Sequence, residues 1–247
     1  MKISSLEMYN RAETQKAHQE LYQNIVKELK IRGIEAPAVL SKNRESIEFW
    51  GSNELFLSQT CGLPYRLFLH NKVTLVGTPD YGLKGFKPGH YASVIIVRKE
   101  DKIKSLTDFS SSIFAYNDIL SQSGWAAPQK YFKELKINID KIKLSGSHRA
   151  SAKLVSEGQA DIAAIDAISF KLIKEYDNFS SNLSIIAQTK STPGLPIIAH
   201  KNANQTLFFD SIETAIDQLQ PPTKKILHLK GIVKTRKSDY LNIKVNS

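Results

Sequence analysis

Short apolar runs alternate along the chain with segments whose apolar residues repeat at helical spacing. The clearest helical segment begins near Asn10, which we expect to cap it with Glu13 as its capping-box partner. Further helices are predicted over 45–50, 123–135, 149–157, 169–175, 207–219 and 222–229. Strands are predicted over 2–8, 36–40, 55–58, 73–76, 91–98, 113–116, 142–145, 162–165, 183–188 and 197–200. This alternation predicts an α/β fold with mainly parallel strand pairing.

The strands group into two α/β blocks, and the second block interrupts the first. Runs 91–98 and 183–200 flank the second block, and the Pro- and Gly-rich segment 78–89, predicted as a loop, precedes it. We therefore expect two Rossmann-like lobes, with 1–91 and 193–247 as lobe 1 and 92–192 as an inserted lobe 2. Two chain crossings would form a two-segment hinge, and a cleft between lobes is a natural ligand site.

Charge and composition exclude several classes of protein. The chain has 247 residues, of which 41% are hydrophobic, and a formal net charge of +10. Residues 221–247 contain seven Lys or Arg against Asp239 alone, yet no nucleic-acid-binding motif accompanies them, so we interpret them as solvated surface. Cys61 is the only cysteine, which excludes an intramolecular disulfide and a multi-Cys zinc site. No run approaches the ~18 apolar residues of a membrane span.

The most specific local feature is the segment NDILSQSGW, residues 117–125, between a predicted strand and a predicted helix. Ser121 and Ser123 bring hydroxyl groups, Gln122 lies between them, and Gly124 allows close backbone approach. Unpaired N–H groups at the start of a helix favour an oxyanion. The alternative is ordinary N-capping by one of the two serines.

Two more turns repeat this arrangement. In SGSHRAS, residues 145–151, Ser147 and His148 could donate to the same anion, since a parallel sheet brings such turns to one edge. Asp166, at the end of a strand, could accept a ligand ammonium, orient His148 or simply cap the next helix. Ser123, His148 and Asp166 do not constitute a catalytic triad, because no G-x-S-x-G elbow is present.

Lobe 1 offers a similar turn, in which Gln59 and Thr60 follow a strand. Tyr9 and Tyr91, at the end of one strand and the start of another, could line a cleft or simply pack. The six histidines show no metal-ligand spacing, and neither a P-loop nor a dinucleotide fingerprint occurs. We therefore expect no metal and no cofactor.

Several segments of the chain, taken together in their order and spacing, resemble segments of the solute-binding proteins of phosphate, phosphite and phosphonate ABC transporters. Those proteins have the type II periplasmic binding protein fold. These segments are LFLSQTCGLPY (55–65), GHYASVIIVR (89–98), KSLTDFSSSIFAYND (104–118), SQSGW (121–125), SGSHRAS (145–151) and VSEGQADIAAID (155–166). The resemblance extends from about Ile3 to about His200. It implies two lobes that close over a small phosphorus oxyanion, without catalysis.

The resemblance also implies site residues. The family's S-T-S-G-like turn matches Ser121-Gln122-Ser123-Gly124, with Gln in place of Thr. The His of the family's S-G-S-H motif matches His148, and a family Tyr at the start of the crossing strand matches Tyr91. Gln59, Thr60 and Asp166 are candidates by position for the organic substituent.

Two other functions remain open from the sequence. One is a cytoplasmic enzyme of the same fold, in which His148, Asp166 or Cys61 would act on a bound anion. The other is a ligand sensor that signals by closure. The N-terminal residues show no signal peptide, so the protein is either cytoplasmic or has had a signal replaced by Met1. We expect a monomer that binds a small anion. If the protein is exported, we also expect it to interact with an ABC permease.

Overall fold

The computed structural model describes residues 2–42 and 45–243, which form two compact units. Unit 1 comprises 2–90 and 193–243, and unit 2 comprises 91–192. The chain passes from one to the other between His90 and Tyr91 and returns between Thr192 and Pro193. Each unit has its own five-stranded sheet.

The elements alternate along the chain. The strands are β1 (Ile3–Ser5), β2 (Leu55–Gln59), β3 (Val73–Asp80), β4 (His90–Tyr91), β5 (Ser93–Arg98), β6 (Ile113–Tyr116), β7 (Lys141–Leu144), β8 (Ile162–Asp166), β9 (Leu183–Gln188), β10 (Thr192–Pro193), β11 (Ile197–His200) and β12 (Gly231–Val233). The helices are α1 (Gln15–Ile31), α2 (Ile47–Trp50), α3 (Gly62–Pro64), α4 (Ala127–Glu134), α5 (His148–Ser156), α6 (Ala167–Tyr176), α7 (Gln205–Asp217), α8 (Pro221–Leu227) and α9 (Lys237–Leu241). One-turn π-helical segments, Tyr65–Leu69 and Gln122–Ala126, follow α3 and precede α4.

The sheet of unit 1 has the strand order β1-β2-β11-β3-β12. Strand β1 runs parallel to β2, whereas β11 is antiparallel to both β2 and β3. Helices α1 and α7 contribute Ile25, Leu29 and Phe208, all fully buried, to one core cluster. A second cluster contains Trp50 and Tyr65 from the α2 and α3 regions. The burial of these side chains is the main favourable term for the fold of unit 1.

The sheet of unit 2 has the order β7-β6-β8-β5-β9, with β6 parallel to both β7 and β8. Helices α5 and α6 supply one apolar cluster, and α4 supplies another around Phe114 and Phe132. The carboxyl ends of β6, β7 and β8 share one edge of the sheet because these strands run in the same direction. Each of the three is followed, after at most five residues, by the start of a helical segment.

The prediction of mainly parallel pairing is wrong. Among the pairings of the two five-stranded sheets in the described residues, β1–β2, β6–β7 and β6–β8 are parallel, and the five others are antiparallel. Strand β5 carries the chain into unit 2 and β9 carries it back, so these adjacent strands run in opposite directions. The same reason applies to β3 and β11 in unit 1.

Several element boundaries also differ from the sequence-based expectation. Helix α1 begins at Gln15 after Thr14, whose side chain makes no cap hydrogen bond, so the predicted capping box of Asn10 and Glu13 is wrong. Tyr9 has a φ of 64°, and the Thr14 hydroxyl donates to its carbonyl at 3.2 Å, so a turn precedes the helix. Strand β3 continues to Asp80, inside the segment predicted as a loop.

Two predictions fail at the level of whole elements. The predicted strand 36–40 is reduced to one bridge between Ser4 and Leu40. Elements β12 and α9 were not predicted, since their short segments carry too few apolar residues to show a period.

The described part of the chain contains no helix that is long and apolar enough to cross a membrane.

Candidate functional site

Two serine caps begin helical segments at the shared edge of the unit 2 sheet. The Ser121 hydroxyl oxygen accepts a hydrogen bond from the Gly124 N–H at 2.9 Å, after β6. After β7, the Ser147 oxygen accepts from the Ala150 N–H at 3.1 Å. Both serines therefore act as N-caps, and for Ser121 this is the alternative that the sequence left open. The Gly124 N–H is used inside the turn.

The two turns meet in a hydrogen bond between Ser123 and His148. The Ser123 hydroxyl oxygen and His148 Nε2 are 2.9 Å apart. Ser123 is buried and His148 is partly buried. The Ser123 backbone N–H lies in the first helical turn, where N–H groups have no partner within the helix. The pair thus places a hydroxyl, an imidazole and a first-turn N–H together, a set that suits an oxyanion.

Burial controls the protonation of His148. Desolvation of the ring lowers the pKa of His148 to about 4, and an interaction with the backbone of Ala164 opposes this shift. The ring is therefore neutral near pH 7, with one N–H and one acceptor nitrogen.

Gly124 fits tightly against its neighbours. A Cβ atom at this position would overlap the Asn117 side-chain oxygen and lie 3.2 Å from His148 Cε1. The absence of a side chain at Gly124 therefore lets Asn117 and His148 approach the first helical turn. Gln122 in the same turn is buried, with an exposed fraction of 2%.

Asp166 follows β8 at the same edge and caps α6. Its Oδ1 atom accepts hydrogen bonds from the N–H groups of Ile168 at 2.7 Å and Ser169 at 2.9 Å. The side chain is buried, with an exposed fraction of 1%. These contacts support the capping interpretation, which the sequence left open beside a ligand role.

Substitutions of Asp166 should separate these two roles. Asp166→Ala should lower the free energy of unfolding by about 2 kcal/mol, because it removes a cap that accepts two N–H groups. Asp166→Asn retains an oxygen acceptor, so most of this stability should remain. Urea denaturation of the two variants measures the difference, and equal losses would contradict the capping role.

Unit 1 brings together two predicted residues and one that was missed. Gln59 Nε2 donates to the Leu195 carbonyl at 3.1 Å and lies 3.4 Å from the Tyr81 hydroxyl. The rings of Tyr9 and Tyr81 are in edge contact, with centroids 5.1 Å apart. Tyr81 was missed because it lies in the segment predicted as a loop. Its position directly after a strand was the available signal.

Two further candidates lie on other elements. The Thr60 hydroxyl is buried and has no hydrogen-bond partner among the described residues, and its N–H donates to the Pro196 carbonyl at 3.1 Å. Tyr91 lies in β4 at the start of unit 2, with an exposed fraction of 2%. Cys61 is a partly buried residue directly before α3.

Comparison with known proteins places the chain in a family. The model of the family described as "ABC transporter, phosphonate, periplasmic substrate-binding protein" matches residues 3–240. A search of curated protein sequences found no match.

Solved structures with the same fold include phosphonate-binding proteins. PhnD1 from Prochlorococcus marinus, in complex with methylphosphonate, is 19% identical, with a TM-score of 0.72 over 98% of this chain and 95% of that one. The binding component of an ABC phosphonate transporter from Pseudomonas aeruginosa is 17% identical, with a TM-score of 0.69 over 98% of this chain and 83% of that one.

A third relative in fold is XAC2383 from Xanthomonas citri, solved with chloride bound. It is 13% identical, with a TM-score of 0.70 over 96% of this chain and 92% of that one. The likeness in fold extends to amino-acid-binding proteins. One is an arginine-, lysine- and histidine-binding protein from Geobacillus stearothermophilus, which is 17% identical, with a TM-score of 0.54 over 90% of this chain and 88% of that one.

The fold is that of type II periplasmic binding proteins, as expected from the sequence. The match over nearly the whole length carries the conclusion that this chain belongs to the periplasmic substrate-binding proteins of phosphonate ABC transporters.

Proposed function

We propose that this chain binds a small phosphorus oxyanion, a phosphonate in the first instance, at the helix starts of unit 2. The observation that carries the proposal is the 2.9 Å hydrogen bond between Ser123 and His148. It joins two turns that the sequence singled out separately for oxyanion chemistry. Methylphosphonate is the natural first probe, because it is the ligand in the PhnD1 complex.

The proposed contacts are numerous enough for useful affinity. Ser121, Gln122, Ser123, Gly124, Ser147 and His148 form the proposed binding region. Hydrogen bonds to a charged group contribute about 1.5–3 kcal/mol each. Four or five such bonds would support binding in about the micromolar range after the costs of association.

The proposal includes Tyr91 and, from unit 1, Tyr9, Gln59 and Thr60 as further ligand contacts. Support within unit 1 comes from the Gln59–Tyr81 and Tyr9–Tyr81 contacts, which hold two of these side chains together. Tyr81 joins the set for the same reason. Asp166 remains a candidate by position only, since its carboxylate caps α6.

We also propose where the protein works and with what partner. The family is periplasmic and serves ABC transporters. On that basis the mature chain would act outside the cytoplasmic membrane, release its ligand unaltered and deliver it to a permease. Export after removal of a signal segment is part of this proposal.

Substitutions at the Ser123–His148 pair test the binding proposal. Ser123→Ala and His148→Ala should each weaken methylphosphonate binding by about tenfold or more, because each removes a polar group that would face the charged ligand. Isothermal titration calorimetry measures the affinities.

The matched control is Ser156→Ala. The hydroxyl of Ser156 is exposed at the end of α5 and donates to the Lys153 carbonyl one turn earlier. Its removal should leave the affinity unchanged. If both Ser123→Ala and His148→Ala bind as tightly as this control, the proposed site is wrong.

A further inference from the structure

Unit 1 contains a small cavity at one edge of its sheet. Leu6 follows β1, Gln59 ends β2 and Tyr81 directly follows β3, and all three side chains line the cavity. Ile197, at the start of β11, lines it too. Strands β1, β2 and β3 run in one direction and β11 runs in the opposite one, so these four residues share one edge of the sheet. The cavity therefore lies at the carboxyl ends of the strands, where ligands of α/β sheets ordinarily bind.

The walls of the cavity are largely apolar. Helices α1, α7 and α8 line it with aliphatic side chains, among them Ile25, Ile212 and Leu227. Of the described residues around it, Tyr81 alone is partly exposed, so the cavity meets solvent beside this ring. Its volume is about 30 Å³, close to the share of one molecule in liquid water and therefore to that of one methyl group.

The few polar atoms at the wall are engaged with the backbone. Gln59 Nε2 donates to the Leu195 carbonyl at 3.1 Å, and His18 Nδ1 lies 3.1 Å from the Thr14 carbonyl oxygen. A buried water needs two to four polar partners, so the cavity suits an apolar group better than a water molecule. In the described part of the chain no carboxylate lines it, and an ammonium buried there without a partner would be costly.

Tyr81, at the entrance, touches two of the proposed ligand contacts. Its hydroxyl lies 3.4 Å from Gln59 Nε2, and its ring is in edge contact with that of Tyr9. A group that enters the cavity therefore passes side chains that the proposed function already assigns to the ligand.

We propose that this cavity receives the end of an uncharged alkyl substituent carried by the phosphonate. The inference rests on the proposed function and specifies its ligand class as short-chain alkylphosphonates, in preference to inorganic phosphate and to aminoalkylphosphonates. Asp166, the carboxylate that could have accepted a ligand ammonium, caps α6 instead, which agrees with an uncharged substituent.

A series of ligands tests the inference in the unmodified protein. In calorimetry, the affinity should rise by about fourfold at the chain length whose terminal methyl group enters the cavity. It should fall by about tenfold or more once the chain is too long for the cavity. The sharpest comparison is between propylphosphonate and 2-aminoethylphosphonate, which have the same length and differ in a terminal methyl or ammonium group. Propylphosphonate should bind at least about tenfold more tightly.

NMR shows where the substituent lies. With the tightest-binding alkylphosphonate bound, nuclear Overhauser effects are expected between the ligand's terminal methyl group and the side-chain methyl groups of Leu6 and Ile197. The absence of these effects, or 2-aminoethylphosphonate binding as tightly as propylphosphonate, would overturn the inference while leaving the binding function in place. Failure to bind any of the phosphonates would instead overturn the proposed function.

Enlarging the cavity should shift the preferred chain length. Ile212→Val removes one CH2 group from the wall, so the affinity for the next longer alkylphosphonate should rise by about fourfold relative to the one that the unmodified chain prefers. The matched control is Ile173→Val, because Ile173 is similarly buried on α6 of unit 2 and does not line the cavity. An identical length preference in the two variants would contradict the inference. If Ile212→Val does not fold, the ligand series and the NMR of the unmodified protein still decide.

Discussion

Replacing Gly124 with alanine should weaken methylphosphonate binding by about a hundredfold, a loss of about 2.7 kcal/mol. The added Cβ would overlap the side-chain oxygen of Asn117 and press on His148 Cε1 at 3.2 Å. The Asn117 side chain can rotate away, but its oxygen is buried. The His148 ring is hydrogen-bonded to Ser123 through Nε2, the atom bonded to Cε1. Relief of the overlap must therefore disturb the Ser123–His148 geometry on which the proposed site depends.

Calorimetry with methylphosphonate measures this loss, and thermal unfolding checks that the variant is folded. Gly231→Ala is the matched control, because a Cβ added there would meet no described atom within 4 Å and the φ of Gly231 is not in the left-handed region. It should bind as the unmodified chain does. Equal affinity in Gly124→Ala and Gly231→Ala would show that the Gly124 turn does not contact the ligand.

The parts of the site that could be predicted from the sequence follow short-range rules. Ser121 and Ser147 cap the segments that follow them, and a cap is visible as a polar residue between an apolar run and a helical repeat. The expectation that Ser123 and His148 lie at one sheet edge needed only one further fact. Strands β6, β7 and β8 are parallel, although the sheet as a whole is mixed.

The remaining features depend on register and long-range packing. The burial that lowers the pKa of His148 follows from how α5 packs on β8, which no local pattern encodes. The fit of Asn117 against Gly124 and the contact of Tyr81 with Gln59 are also set by packing between elements. The capping box predicted at Asn10 failed because a turn with Tyr9 at positive φ delays the start of α1.

Replacing Phe114 with alanine should lower the free energy of unfolding by about 3–5 kcal/mol, the largest effect expected for stability. Phe114 is fully buried on β6, and its ring meets that of Phe132 edge-on, with centroids 5.6 Å apart. The substitution removes this contact and leaves a cavity under the strand. Urea denaturation measures the loss. Phe68→Ala is the control: the Phe68 side chain is 41% exposed, so this substitution should lower the free energy of unfolding by less than about 1 kcal/mol.

The same variant connects the core of unit 2 to the proposed site. Strand β6 ends at Tyr116, and the turn that carries Ser121 and Ser123 follows it directly. If methylphosphonate binds the folded form alone, a concentration one hundred times its Kd should raise the free energy of unfolding of Phe114→Ala by about 2.7 kcal/mol. A destabilisation no larger than that of Phe68→Ala would contradict the role of Phe114 in the core. A folded Phe114→Ala protein that gains no stability from methylphosphonate, while the unmodified chain does, would show that the core under β6 also holds the binding turn in place.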